Sequence, residues 1–253
     1  TFGVYQSDRA TVMYRKFTPV IESLRVQLEN QLNREVDIRL TIFDDYESGI
    51  QTLAAGEVDF VRFGPSSFIL TTEKNENIQL LAMELLKGLK RFNGLIIARK
   101  DSGIQSIKDI NGKSFAFGDE YSTIGRYLSQ SQLVNHGIVE TDLKNHSYLG
   151  RHDLVAQAVI NGQFDAGALK ASTYKKLCDS DEIIIIKAFE NVTKPWIARE
   201  GLPPKICNAI IASLISLEDE IVLEELGCSG FTNATMKDFD LVIDGMENAK
   251  QFF

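Results

Sequence analysis

Basic clusters, long apolar runs, paired cysteines and catalytic signatures are all scarce in this sequence, and each scarcity excludes something. The most basic stretch is Lys87-Gly88-Leu89-Lys90-Arg91, in a chain of formal charge −8 and sequence pI near 5.0. Neutralising phosphates along a strand needs a basic face, so nucleic acid is excluded as a partner. No apolar run approaches the roughly 20 residues that cross a bilayer, and Ile183–Ile186 makes a strand at most. The 3 cysteines, Cys178, Cys207 and Cys228, are far apart and odd in number. They read as buried single thiols, or as one disulfide plus a spare. With no Cys-x-x-Cys and no neighbouring histidine, a structural zinc site is not expected. Nucleophile-elbow, zincin, phosphate-loop and dinucleotide-glycine motifs are missing too. Gly64-Pro65-Ser66 presents a serine on a turn, but no residue pattern supplies a base to activate it. No leader pattern stands at the start. Thr1-Phe2-Gly3-Val4-Tyr5 reads as a strand from its first residue without an initiator Met, so a mature or excised chain is expected, and export stays open.

What is present is ordinary globular composition. The 253 residues are 44% hydrophobic and 25% charged, enough for one or two domains with sizeable cores. Short apolar runs alternate with amphipathic stretches, which indicates an α/β fold. The pattern predicts strands at 2–5, 36–42, 58–63, 95–99, 114–117, 166–169 and 183–188. It predicts helices at 14–31, from Asp44-Asp45-Tyr46-Glu47 to Ala55, from Gly64-Pro65-Ser66-Ser67 onward, and at 106–110, 125–136, 154–161, 172–177 and 205–216. Phe17, Val20, Ile21, Leu24 and Leu28 recur at helical spacing and mark the buried face of the first helix.

Two strand-to-helix junctions carry hydroxyls, Ser66-Ser67 and Ser122-Thr123. A helix start exposes unpaired N–H groups and a partial positive charge, and hydroxyls add donors, which together make an uncharged oxyanion site. Simple N-capping explains either junction alone. Two such junctions in successive α/β units point equally to a ligand, since open sheets bind at strand carboxyl ends. His152, ahead of a helix in Gly150-Arg151-His152-Asp153, either donates to an anion or caps; Asp153 is the better cap. His136 and His146 show no metal spacing with it.

Further motifs are Asp44-Asp45-Tyr46, Gly56-Glu57-Val58-Asp59-Phe60 and Phe63-Gly64-Pro65-Ser66-Ser67. They continue through Arg99–Ile104, Ile107–Phe117, Tyr121-Ser122-Thr123-Ile124-Gly125, His152-Asp153 and Ala158–Ala166. On these residues, in order from Phe2 to about Phe239, the chain resembles the phosphonate/phosphite/phosphate substrate-binding proteins of ABC importers, the PhnD-like group. This resemblance implies a type II periplasmic-binding fold of two α/β lobes, two crossover segments and a ligand cleft. Lobe one is expected at 1–98 plus 197–253, with the last helices returning to it, and lobe two at 99–196. No cofactor and no metal are expected.

The resemblance also implies ligand contacts. Tyr46 matches a cleft tyrosine, Ser66 and Ser67 a first anion site, Ser122 and Thr123 the start of a Ser-Thr-Ser cradle, and His152 a ligand-facing histidine. Tyr5 and Tyr121, beside these positions, are further candidates. Departures stand out. The third cradle serine is Ile124, the usual cleft tyrosine is Phe92, and Lys170 and Lys194 stand near where relatives carry carboxylates for an amine. Aminophosphonates are thereby disfavoured, and a more negative ligand is favoured. Arg62 ends a buried strand and must pair with an anion, in a hinge salt bridge or in the ligand. Arg126 and Arg151 are expected to face solvent.

The resulting expectation is an extracytoplasmic binding protein that captures a small oxyanion by lobe closure and delivers it to an ABC permease. A sensing domain of a membrane receptor module is the alternative partner arrangement. A biosynthetic enzyme on the same fold, with His152 or a cleft carboxylate as acid/base, is the rival from another class.

Overall fold

The computed structural model describes residues 1–6, 10–179 and 181–253. In chain order the strands and helices are β1 (Phe2–Tyr5), α1 (Ala10–Leu32), β2 (Leu40–Phe43), α2 (Tyr46–Ala54), β3 (Phe60–Arg62), α3 (Pro65–Lys74), β4 (Gln79–Leu85), β5 (Arg91–Arg99) and β6 (Ser114–Phe117). A π-helical turn (Thr123–Leu128) precedes α4 (Ser129–Val134), β7 (Asn145–Tyr148), α5 (His152–Ile160), β8 (Ala166–Lys170), α6 (Ala171–Leu177) and β9 (Ile183–Val192). Then follow β10 (Pro195–Ala198), α7 (Pro204–Ile215), α8 (Glu220–Leu226), β11 (Gly230–Thr232) and α9 (Asp240–Ala249).

The chain divides into two compact units, Thr1–Arg91 with Thr193–Phe239, and Phe92–Val192 with Asp240–Phe253. The first unit holds a sheet of order β11-β4-β10-β3-β1-β2. Within it β2, β1 and β3 are parallel, while β10 runs antiparallel to β3 and β4. Helices α1, α7 and α8 cover one face through Met13, Phe17, Val20, Leu24, Ile210 and Leu226. The predicted apolar stripe of α1 is buried at all five positions. At its centre Phe2 stacks on Trp196 with ring centroids 4.7 Å apart. Burying such aromatic pairs contributes most of the apolar driving force per residue.

The second unit holds a sheet of order β7-β6-β8-β5-β9, with β7, β6 and β8 parallel and β5 antiparallel to β8. Strand periodicity splits β5 between two cores. Leu95 and Ile97 pack with α5 through Val155 and Val159, whereas Ile96 and Ala98 pack with Phe115, Leu128 and Leu133.

Three expectations differ from the structure. The strand expected at 36–42 forms only from Leu40, where register with Phe2 of β1 begins. The helix expected at 125–136 starts as a π-turn, because Gly125 lies against Gly118. A Cβ on Gly125 would stand 2.7 Å from the Gly118 Cα, and the Gly118 amide donates to the Gly125 carbonyl at 2.7 Å. The expected boundaries at 98/99 and 196/197 fall a few residues after those found, and segment 240–253, expected with the first lobe, packs on the second unit. There Gly245 of α9 accepts Leu128 so closely that a Cβ would stand 2.3 Å from Leu128 Cδ2. All three cysteines are free thiols, with Cys207 buried.

Candidate functional site

In the first unit the candidates collect at the carboxyl edge of β2, β1 and β3, the edge at which open α/β sheets present ligand sites. Tyr5 is the last residue of β1, Tyr46 opens α2 after β2, and Gly64-Pro65-Ser66-Ser67 follows β3. The Tyr5 and Tyr46 rings stack at 3.9 Å and 17°, and Tyr5 also stacks on Phe63 at 5.4 Å. The Tyr5 phenol oxygen accepts the Gly64 amide. Asp45 caps α2, accepting the Ser48 amide at 2.7 Å, and that bond holds its carboxyl below the ordinary aspartate range.

Helix α3 begins without a side-chain cap. Its N-cap is Gly64 and Pro65 occupies the first turn, where a missing N–H costs nothing. Ser66 and Ser67 are fully buried there. The Ser67 Oγ finds no hydrogen-bond partner among the described residues. Orphaned buried hydroxyls are uncommon in native folds, since leaving one unpaired costs about 1–3 kcal/mol.

Lys194 reaches the same edge from the other direction. Because β10 runs antiparallel to β3, with Trp196 opposite Arg62, the residues preceding β10 lie beyond the end of β3. The Phe63 amide donates to the Pro195 carbonyl at 3.2 Å, and the Lys194 ammonium lies 5.6 Å from the Tyr5 ring centroid.

Arg62 has a partner within the protein. Its Nε and Nη2 donate to the two Glu84 carboxylate oxygens at 2.5 and 2.9 Å, with the side chains only 10% and 6% exposed. Trp196 Nε1 donates to the same Glu84 Oε1 at 3.0 Å, and the guanidinium lies over Phe17 at 5.5 Å. Glu84 on β4 was not singled out in the sequence, where a lone Glu in an apolar run carries no spacing signal.

The second unit repeats the arrangement on the carboxyl edge of β7, β6 and β8. The loop after β6 carries Tyr121, Ser122 and Thr123, the loop after β7 leads to His152 at the first turn of α5, and β8 ends at Lys170. Ser122 and Thr123 are buried. Ser122 caps the π-turn: its Oγ accepts the Gly125 amide at 3.0 Å, and its carbonyl accepts the Arg126 and Tyr127 amides at 3.0 and 3.2 Å. The preceding loop is an Asx turn, with the Tyr121 amide donating to Asp119 Oδ1 at 2.7 Å. The His152 Nδ1 atom is buried.

Two departures from the resembled pattern find a structural reason here. Ile124, in place of a third serine, is 3% exposed and belongs to the hydrophobic cluster of Phe115, Leu128 and Phe189. Phe92 packs against that same cluster, and it precedes Gly94, the register partner of Lys170, so it too lies at this edge. Arg151 is exposed and pairs with Asp153 at 2.6 Å. Arg126 does not simply face solvent as expected; it is half-buried among aromatic rings.

Among the described residues no group of His, Cys, Asp or Glu is arranged to hold a metal ion, and no helix is long and apolar enough to cross a membrane.

The chain is similar to known proteins in sequence and in fold. The phosphate-import protein PhnD of Mycolicibacterium smegmatis is 25% identical over 194 residues, covering 72% of this chain and 59% of that protein. The probable ABC transporter phosphite binding protein PhnD1 of Prochlorococcus marinus is 24% identical over 206 residues, covering 78% of this chain and 65% of that protein. The chain thus spans under two thirds of the length of either relative. The structure of PhnD1 from Prochlorococcus marinus in complex with methylphosphonate superposes with a TM-score of 0.82 at 19% identity, covering 99% of this chain and 97% of that one. The fold is therefore the α/β fold of the type II periplasmic binding proteins. The model of the family described as "ABC transporter, phosphonate, periplasmic substrate-binding protein" matches residues 2–239, and the chain belongs to that family.

Proposed function

We propose that this chain captures a small tetrahedral oxyanion of the phosphonate, phosphite or phosphate type outside the cytoplasm, and delivers it to an ABC permease. It acts as a binder and not as an enzyme. The observation that carries the reading is the buried, unpartnered Ser67 hydroxyl at the uncapped start of α3. A helix start with a spare hydroxyl holds an anion by aligned N–H dipoles, without needing a net basic protein.

In this reading Ser66, Ser67 and Tyr46 serve the ligand from the first unit, with Tyr5 fixing the Gly64 amide. Ser122, Thr123 and His152 serve the same ligand from the second, with Tyr121 and Phe92 beside them. As the family resemblance implies, closure of the units around the anion removes water and strengthens each hydrogen bond. Lys170 and Lys194 add positive charge at the two edges, which favours a dianion and disfavours an ammonium-bearing phosphonate.

A thermal-shift panel of phosphate, phosphite, methylphosphonate, aminoethylphosphonate, sulfate and small carboxylates tests this. A ligand at 100 times its Kd adds about 2.7 kcal/mol, on the order of 5–10 °C at this chain length. The reading predicts such a shift with at least one phosphorus oxyanion, and a smaller one with aminoethylphosphonate than with methylphosphonate. No shift with any phosphorus oxyanion, on folded and empty protein, overturns it. His152→Ala should weaken binding moderately; turnover of a bound compound that His152→Ala abolishes would instead make the chain an enzyme.

A further inference from the structure

Arg126 lies in the π-turn that Ser122 caps, and its guanidinium is tied to the loop that leads into that turn. Nη1 donates to the Glu120 carbonyl at 2.8 Å, in the loop leading into Ser122, and Nε reaches Gln130 Oε1 at 3.3 Å. The guanidinium carbon stands 4.8 Å from the Tyr127 ring centroid, 5.9 Å from that of Tyr148 and 5.6 Å from that of Phe253. Gln130 Nε2 in turn donates to the Tyr148 hydroxyl at 2.8 Å. A planar cation held within 6 Å of three ring centroids, with one donor on a loop carbonyl and another on Gln130, forms a strut that lysine cannot reproduce.

The third ring comes from segment 240–253, which is anchored on Leu128 of that turn, on α4 and its C-cap, and on β6 and β7. Gly245 seats Leu128. The Asn248 amide donates to the Ser131 carbonyl at 3.2 Å, to Ser131 Oγ at 2.9 Å and to Asn135 Oδ1 at 3.0 Å. Phe252 packs edge-on to Phe117 at 5.5 Å and to His146 at 6.0 Å.

We propose that Arg126 is a positioning residue for the Ser122–Thr123 turn, held in place by Phe253, so that segment 240–253 sets the anion affinity of the second unit. The inference rests on the oxyanion reading above. It makes anion binding and the packing of segment 240–253 reciprocally coupled, because whatever loosens the strut loosens the loop.

The test compares Arg126→Ala, Arg126→Lys and Phe253→Ala with the native protein, using methylphosphonate and inorganic phosphate as probes in calorimetric titrations. Amide hydrogen exchange over residues 119–125 is measured alongside. Positioning predicts about tenfold weaker binding for Arg126→Ala, equivalent to about 1.4 kcal/mol. It further predicts no rescue by Arg126→Lys, an intermediate loss in Phe253→Ala, and losses that persist at high salt. Faster exchange at 119–125 should accompany them in Arg126→Ala. A loss that disappears in salt or is restored by lysine means the arginine acts as a charge, and overturns the inference. Unchanged exchange at 119–125 in Arg126→Ala overturns it whether or not either probe binds. Absence of binding by the native protein, with that exchange accelerated, instead overturns the oxyanion reading.

Discussion

The phenol oxygen of Tyr5, the last residue of β1, accepts the amide hydrogen of Gly64, the N-cap of α3. One hydroxyl therefore fixes the direction in which the helix start faces, and it does so from a neighbouring strand. Tyr5→Phe keeps the ring stacked between Tyr46 and Phe63 but leaves a buried amide without its acceptor. The expected cost is about 1–3 kcal/mol, at on the order of 2–4 °C in Tm per kcal/mol for a chain of this size. Thermal unfolding of the anion-free protein checks this. An unchanged Tm would mean that the Gly64 amide has another acceptor.

The Arg62–Glu84 pair behaves differently from a surface ion pair. Both groups are buried, and Trp196 shares the carboxylate. Glu84→Ala strands a buried guanidinium, so a loss of about 3–5 kcal/mol is expected. The double variant Arg62→Met/Glu84→Leu removes both charges and should recover much of that loss, which urea unfolding of the set would show. Equal destabilisation of the single and double variants would contradict this account of the pair.

Asp165 gives the protein an acid-side dependence of known sign. Partial burial pushes its carboxyl up, but the Ser114 hydroxyl and amide bonds outweigh this and hold it below the ordinary aspartate value. Those bonds are 2.6 and 2.8 Å and tie the start of β6 to the loop before β8. Between the folded value and the ordinary one the unfolded chain binds more protons, so stability rises with pH there. The contribution is complete above the ordinary aspartate pKa, roughly 3.9, and is lost as pH falls through the lower folded value. Chemical unfolding across this range should show a shallower acid-side slope in Asp165→Asn than in the native protein. Identical slopes would remove Asp165 from the acid response.

Much of this was legible in the sequence, for identifiable reasons. The α1 stripe, the parallel strands β1, β6 and β8 and both Ser/Thr junctions follow from periodicity and cap chemistry, which are local. The edge strands β7 and β11 were not legible. Asn145-His146-Ser147-Tyr148 is polar and pairs on one side only, so its strand form comes from β6 and not from its own composition. The π-turn was missed because it depends on two glycines, Gly118 and Gly125, meeting across a loop. The placement of segment 240–253 and the ring contacts of Arg126 are likewise long-range packing events. The candidate residues at the two Ser/Thr junctions were named from local chemistry; the pairing of Glu84 with Arg62 and the ring contacts of Arg126 depend on tertiary packing that no short motif encodes.

The central claim is that the hydroxyls at both helix starts hold the same oxyanion. Its most direct test is isothermal titration of methylphosphonate into the native protein, Ser67→Ala and Ser122→Ala, each shown to be folded. The account predicts one site per chain in the native protein. It predicts that either substitution alone weakens that site by about tenfold or more, as loss of a hydrogen bond to a charged group should (about 1.5–3 kcal/mol). Full affinity in either variant would contradict it.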